Sequence, residues 1–142
     1  MKYAIAATLT LAIALGACSN SQKTEVDENA APTDYTERLL EQVRKEVGDP
    51  TGIRDSFIAG PELRSVDGKT QRQVVCLRFN PRDASGRHTG DRTRVGIYYA
   101  GNLTSFTADE NNICQGANYR PFPELTQLCK ELVCPQERGG RR

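Results

Sequence analysis

The spacing of apolar residues changes repeatedly along the chain, and each change marks a different kind of segment. Tyr3 to Leu15 is an apolar run of ~13 residues, too short for a bilayer-spanning helix of about 20 and suited to a signal-peptide core. Ser19 to Asp34 is polar and acidic, with almost no large apolar side chain to bury. That composition predicts a flexible tether with a reach of about 20–25 Å. Tyr35, Leu39, Leu40, Val43 and Val47 then recur at three- and four-residue steps, which predicts a helix with one apolar face. Asp34 followed by Glu37 fits an N-terminal cap. Arg44 and Lys45 in the last turn, then Gly48 and Pro50, fit its end.

From Ile53 the period falls to two. Ile53 to Ile58 and Leu63 to Val66 read as two short strands, and Asp67-Gly68 reads as a type I′ hairpin turn into Thr70–Phe79. Within that strand Val75, Leu77 and Phe79 share one face, while Val74 and Cys76 share the other. Asn80 to Asp91 is rich in Pro, Gly, Asp and Ser and is expected to form a long loop. Val95, Ile97 and Tyr99 line one face of the next strand, and Gly101-Asn102 turns it into Leu103–Ala108. Phe122 to Val133 offers Leu125, Leu128, Leu132 and Val133 for burial and predicts a short closing helix. The fold class is therefore α+β: a small antiparallel β-meander packed with an N-terminal and a short C-terminal helix. The expected division is a signal segment over residues 1–17, a tether over 18–34, one domain over 35–135 and a frayed basic tail over 136–142.

Composition adds limits. The 142 residues are 37% hydrophobic and 26% charged, with a net charge of +1, and mean hydropathy is −0.58. Loss of residues 1–17 removes Lys2 and leaves a chain near neutrality, so no global field draws nucleic acid. With no Trp and 6% aromatic residues, a broad stacking surface for bases or sugars is not expected.

The apolar run ends in Leu15-Gly16-Ala17-Cys18, which resembles the lipobox of bacterial lipoproteins. In that chemistry the Cys18 thiol takes up a diacylglyceryl group, small side chains at Gly16 and Ala17 fit the peptidase, and Leu15 fills an apolar pocket. Several acyl chains on one cysteine anchor durably where one alone would not. Ser19 in place of Asp implies, by the same resemblance, an outer membrane inner leaflet facing the periplasm; the inner membrane outer leaflet is the alternative. No cofactor is expected beyond the covalent diacylglyceryl and N-acyl groups on Cys18. Export also places the remaining cysteines, Cys76, Cys114, Cys129 and Cys134, in an oxidising compartment, where an even set reads as two disulfides.

Further stretches carry a second resemblance. They are Asp49-Pro50-Thr51-Gly52-Ile53-Arg54-Asp55-Ser56-Phe57-Ile58, Val75-Cys76-Leu77-Arg78-Phe79-Asn80, the loop positions Asp83, Gly86, Thr89 and Gly90, and Tyr119-Arg120-Pro121-Phe122-Pro123-Glu124-Leu125. Together they resemble a family of small exported lipoproteins of rhizobia-like alphaproteobacteria, over roughly residues 45–128. Similar proteins carry Asn at the position of Asp83 and an aromatic residue at that of His88. The resemblance implies a mixed α and β envelope protein and brings no catalytic residues. It also implies the pair Cys76–Cys114, which leaves Cys129–Cys134. Five residues along a regular helix exceed the ~7 Å Cα limit of a disulfide, though Pro135 pushes Cys134 out of helical geometry. A helix intact to Val133 would favour Cys76–Cys129 with Cys114–Cys134 instead.

Catalytic patterns are sparse. His88 is the single histidine, which excludes a two-histidine or His/Cys zinc site and leaves a serine triad one poorly held candidate. Asp83 with Asp91, and Asp109 with Glu110, are carboxylate pairs in polar turns, without the burial that separates the acid from the base. Asp83-x-Ser85-Gly86 lacks the later carboxylates of a calcium loop. Between Glu62 and Arg94, eight basic residues face four acidic ones. Arg82, Arg87, Arg92 and Arg94 cluster around the loop as candidate anion-binding residues, since a guanidinium fork suits carboxylates and phosphates. The expectation is a non-enzymatic envelope lipoprotein that binds peptidoglycan, anionic lipid or another envelope protein. The alternatives are a cell-wall hydrolase using a carboxylate pair and a secretion- or inhibitor-type lipoprotein that blocks a partner.

Overall fold

A computed structural model describes residues 25–128. Cys18, Cys129, Cys134, the leading segment, the end of the expected closing helix and the basic tail lie outside the described residues. The first element, α1 (Tyr35–Glu46), buries Leu39 and Val43 and packs Tyr35, Leu40 and Val47 partly against the same core. The apolar stripe is the one its spacing predicts. The cap differs: the Asp34 side chain makes no capping bond and instead accepts a 2.7 Å hydrogen bond from Arg38 Nε, one turn along.

The strands are β1 (Asp49–Ser65), β2 (Gln71–Arg82), β3 (Arg92–Tyr99), β4 (Asn102–Ala108) and β5 (Arg120–Pro121). They form one antiparallel sheet in the order β4-β3-β2-β1-β5. The first four make the expected meander, and β5 returns to the free edge of β1. A short helix, α2 (Pro123–Thr126), follows. It ends at Thr126, with Gln127 as its C-terminal cap, so a helix unbroken from Phe122 to Val133 does not form. Ser56 fixes this return: its Oγ donates to the Phe122 carbonyl at 2.6 Å, and Phe122 N–H donates to the Ser56 carbonyl at 2.9 Å.

Two short strands were expected where β1 runs continuously. Register shifts absorb the irregular residues, with Asp55 at φ 52° and Gly60 at φ 90°. At Gly60 a Cβ would run into the Val74 carbonyl of the neighbouring strand, so the strand passes there only because the side chain is missing. The β1–β2 turn is also not type I′, because Gly68 has positive φ and Asp67 does not. Asp67 Oδ1 accepts from Lys69 N–H at 2.8 Å and from Thr70 N–H, so a side chain closes the longer loop. The two-residue turn with positive φ throughout is Ala100-Gly101, one position earlier than Gly101-Asn102.

Both faces of the sheet are covered. On one, Ile58, Val75, Leu77, Phe79 and Tyr98 meet Leu39 and Val43 of α1 and Leu125 of α2. On the other, Ala59, Val74, Cys76 and Val95 lie beneath Cys114 and the 109–119 segment. The alternation assigned to β2 is thus correct on both sides. In β3, Val95 and Ile97 occupy the second face, but Tyr99 is 40% exposed while Tyr98 is fully buried under α1. Cys76 and Cys114 are bonded, with Cα atoms 5.7 Å apart. This excludes the pairing of Cys76 with Cys129.

The expected tether is partly docked. Ala100 N–H donates to the Glu28 carbonyl at 2.9 Å, Gln73 Nε2 donates to the Asn29 carbonyl at 3.1 Å, and Arg72 pairs with Glu28 at 3.2 Å. Pro32 is buried. A polar strip with little apolar surface still orders when the sheet end offers it backbone and charge partners.

Candidate anion-binding site

The C-terminal end of α1 stops where β2 leaves the core and β3 enters it. Glu46, Val47 and Gly48 come from the helix end, Phe79, Pro81 and Arg82 from β2, Asp83, Ala84 and Thr89 from the connecting hairpin, and Arg92 and Arg94 from β3. They enclose a cleft of about 200 Å³. Three of the four arginines singled out from the sequence therefore share one cavity. Arg87 does not line it: its side chain is 82% exposed and lies 3.6 Å from Asp83.

Each arginine is held differently. Arg82 lies across Gly52, where a Cβ would come within 2.6 Å of its Cζ; glycine is what lets the guanidinium settle against β1. Arg94 is 3.8 Å from Glu46, a partial compensation of its charge. Neither Arg82 nor Arg92 forms an ion pair among the described residues. Arg82, Arg92 and Arg94 outnumber the carboxylates of Glu46 and Asp83 in the lining, and guanidinium groups gathered in a small cleft attract an anion more strongly than the same charges scattered over open surface.

The hairpin beside the cleft is shorter and better ordered than a long solvated loop. Its strands extend to Arg82 and from Arg92, and Arg82 bridges His88 across it. Asp83 Oδ1 accepts from Ser85 N–H at 2.9 Å, from Ser85 Oγ at 2.6 Å and from Arg87 N–H at 3.0 Å. These bonds, the Ser85 hydroxyl first, hold the Asp83 carboxyl below its ordinary value. Such a group is a fixed anion, and its lone pairs are already directed at its own turn rather than at a calcium ion or a substrate proton. Asp109 is engaged likewise, accepting from Ile113 N–H at 2.7 Å and from Cys114 N–H at 2.9 Å. His88 Nδ1 lies 3.4 Å from the Asn80 carbonyl and its Nε2 accepts from Arg82 Nε at 3.5 Å, the contacts of a residue bracing the hairpin.

A larger concavity, about 730 Å³, lies elsewhere, between the β1–β2 turn and residues 111–115. Its charged groups are committed to the fold: Arg64 donates to the carbonyls of Ile113 at 2.7 Å and Gln115 at 2.8 Å, and Asp67 closes its turn. Among the described residues there is no cluster of side chains suited to a metal ion, and no helix is long and apolar enough to cross a membrane. Compared with protein-family models, curated proteins and solved structures, the chain matches none.

Sequence reasoning did not single out Glu46 or Gly52, and it included Arg87. Glu46 reaches the cleft from the helix end and Gly52 lies against Arg82 from β1, at separations no local pattern encodes. The Gly52 signal was present, a glycine two residues beyond Pro50 and directly before the run reading as strand.

Proposed function

We propose that this chain is a bacterial envelope lipoprotein, lipidated at Cys18, that holds an anionic envelope component without chemical turnover. The observation that carries the binding half is the meeting of Arg82, Arg92 and Arg94 around one cleft, where the first two form no ion pair among the described residues. The anchoring half rests on Leu15-Gly16-Ala17-Cys18 behind an apolar run. Lipid on Cys18 would keep the domain within tether reach of the leaflet, where peptidoglycan carboxylates and lipid phosphates are both concentrated. Forked guanidinium donors recognise either group, and their attraction across exposed distances is screened within about 8 Å at physiological ionic strength.

The test is retention of the purified protein on peptidoglycan sacculi and on anionic lipid vesicles, with and without added salt. Replacing Arg82, Arg92 and Arg94 together by Ser should abolish salt-sensitive retention, while Arg87→Ser should leave it close to wild type. Equal retention of the triple variant, or wild-type retention indifferent to salt, discards the cleft. Cys18→Ser tests the anchor separately: it should end palmitate labelling and leave a heavier precursor, and persistent label would refute lipidation there.

A further inference from the structure

On the sheet face opposite α1, a second arginine is built in with its donors idle. Register places Phe57 of β1, Arg78 of β2 and Thr93 of β3 side by side. The Arg78 Cζ lies 4.8 Å from the centre of the Phe57 ring and 4.9 Å from that of Tyr119. Contact with the two rings holds the guanidinium without using its N–H groups as hydrogen-bond donors. Among the described residues Arg78 Nε is buried without a hydrogen-bond partner and Arg78 makes no ion pair. An oriented, partly desolvated cation with unused donors is an unusual thing for a fold to keep.

Arg78 opens on a cavity of about 280 Å³ lined also by Thr93, Asn112, Gln115 and Tyr119. Those neighbours add neutral hydroxyl and amide groups able to donate. Burial, opposed by Arg78, raises the Tyr119 phenol above its ordinary value, so it stays a neutral hydroxyl. Asp109 also lines the cavity, but its two oxygens accept from Ile113 and Cys114 N–H. Cys114 lines the cavity, and its bond to Cys76 ties the 109–119 segment to the strand that carries Arg78.

We propose that Arg78, held over the rings of Phe57 and Tyr119, is the receptor for a small carboxylate that binds in this cavity beside the disulfide. The flat fork of a carboxylate matches the in-plane donors of a guanidinium that two rings already hold in place. The cavity size fits an acetate- to amino-acid-sized group, either a free acid or the carboxylate end of a peptide. This site is on the other face of the sheet from the Arg82–Arg92–Arg94 cleft and is independent of it.

The experiment is a nuclear magnetic resonance titration of the oxidised, isotope-labelled protein, following the Arg78 Nε–H signal and the amides of Thr93, Asn112 and Gln115. Acetate represents a free acid, N-acetylalanine a peptide end, N-acetylalaninamide the uncharged control and inorganic phosphate a tetrahedral anion. Saturable shifts with either carboxylate and none with the amide are expected, with phosphate weaker. Tighter binding of N-acetylalanine assigns the peptide-end source, and tighter binding of acetate the free acid. Arg78→Lys keeps the charge but loses the fork and should weaken binding by about tenfold or more. Should that variant fail to fold, the wild-type titration decides alone. The triple Ser variant of the cleft should bind the carboxylate unchanged, which separates failure of this site from failure of the other. Absence of any saturable shift at Arg78 Nε–H, or equal shifts from acid and amide, overturns the proposal.

Discussion

The two faces of the sheet are closed by different physics. Beneath α1 and α2, Leu39, Val43, Ile58, Leu77, Phe79, Tyr98, Phe122 and Leu125 are essentially inaccessible to water, and each fully buried aliphatic or phenylalanine side chain contributes about 1.5–3 kcal/mol. No covalent bond among the described residues is needed there. Among the described residues the opposite face fully buries Ala59, Val74, Cys76, Val95 and Cys114, with Ile113, Ala117 and Tyr119 of the 109–119 segment partly buried against them, a smaller apolar contact than on the helix face. That segment is held by the Cys76–Cys114 bond, by Asp109 accepting its backbone N–H groups and by Arg64 clasping two of its carbonyls. Apolar area secures one side, and a crosslink with polar clasps secures the other. The contrast matters for function, because each face leaves arginines over: the cleft at the end of α1 on one side, and Arg78 on the other.

Breaking the crosslink should have the largest effect. Replacing Cys76 and Cys114 by Ala frees a loop spanning 38 residues, and loop-closure entropy puts the loss near 4 kcal/mol. Urea unfolding measures the total, and amide hydrogen exchange locates it. Protection at positions 113 and 114 should fall well before protection at Val43 or Leu77. Equal loss on both faces would show that the distinction drawn between them is not real. Next comes Leu77→Ala on the helix face, expected to cost about 3 kcal/mol through lost burial and a residual cavity. Its urea midpoint should drop while the 109–119 amides keep their order relative to the rest; selective exposure of that segment would contradict a face held by its own clasps.

The smallest effect concerns acid and the hairpin that borders the cleft. Asp83 is held below its ordinary pKa of 3.8, first by the Ser85 hydroxyl and then by backbone N–H of Arg87. Its contribution is therefore complete above the unfolded carboxyl value and is lost as pH falls through the lower folded value. The Ser85 and Arg87 amides should shift with a midpoint below 3.8, without global unfolding at that step. A midpoint at or above the ordinary value would show that the turn does not depend on the carboxylate.

Much of the fold is local and was readable as such. The stripe of α1 and the two-sided burial of β2 follow from period, because a helix repeats its face every three to four residues and a strand every two. Where a strand is covered on both sides, that rule weakens: Tyr98 and Tyr99 are equally acceptable inside, and the overlying α1 chose Tyr98. Two short strands, Ile53–Ile58 and Leu63–Val66, were expected in place of β1 because propensity cannot know that β2 will hold the strand through a bulge between Ala59 and Glu62. Residues 27–32 looked like tether because composition measures what a segment can bury, not which partners wait for it at the sheet end.

For the candidate site, the sequence by itself determined the reagents: an arginine-rich stretch, glycines able to let it approach the backbone, and cysteines suited to crosslinking. Tertiary structure alone decided their grouping. It placed Arg82, Arg92 and Arg94 around the end of α1, turned Arg87 to solvent, and set Arg78 between two rings contributed from 21 residues before it and 41 after it. Chemical type is a property of each residue and survives in any conformation. Which charges meet depends on strand register and on the elements packed above each face, and those follow from the free energy of the whole folded chain.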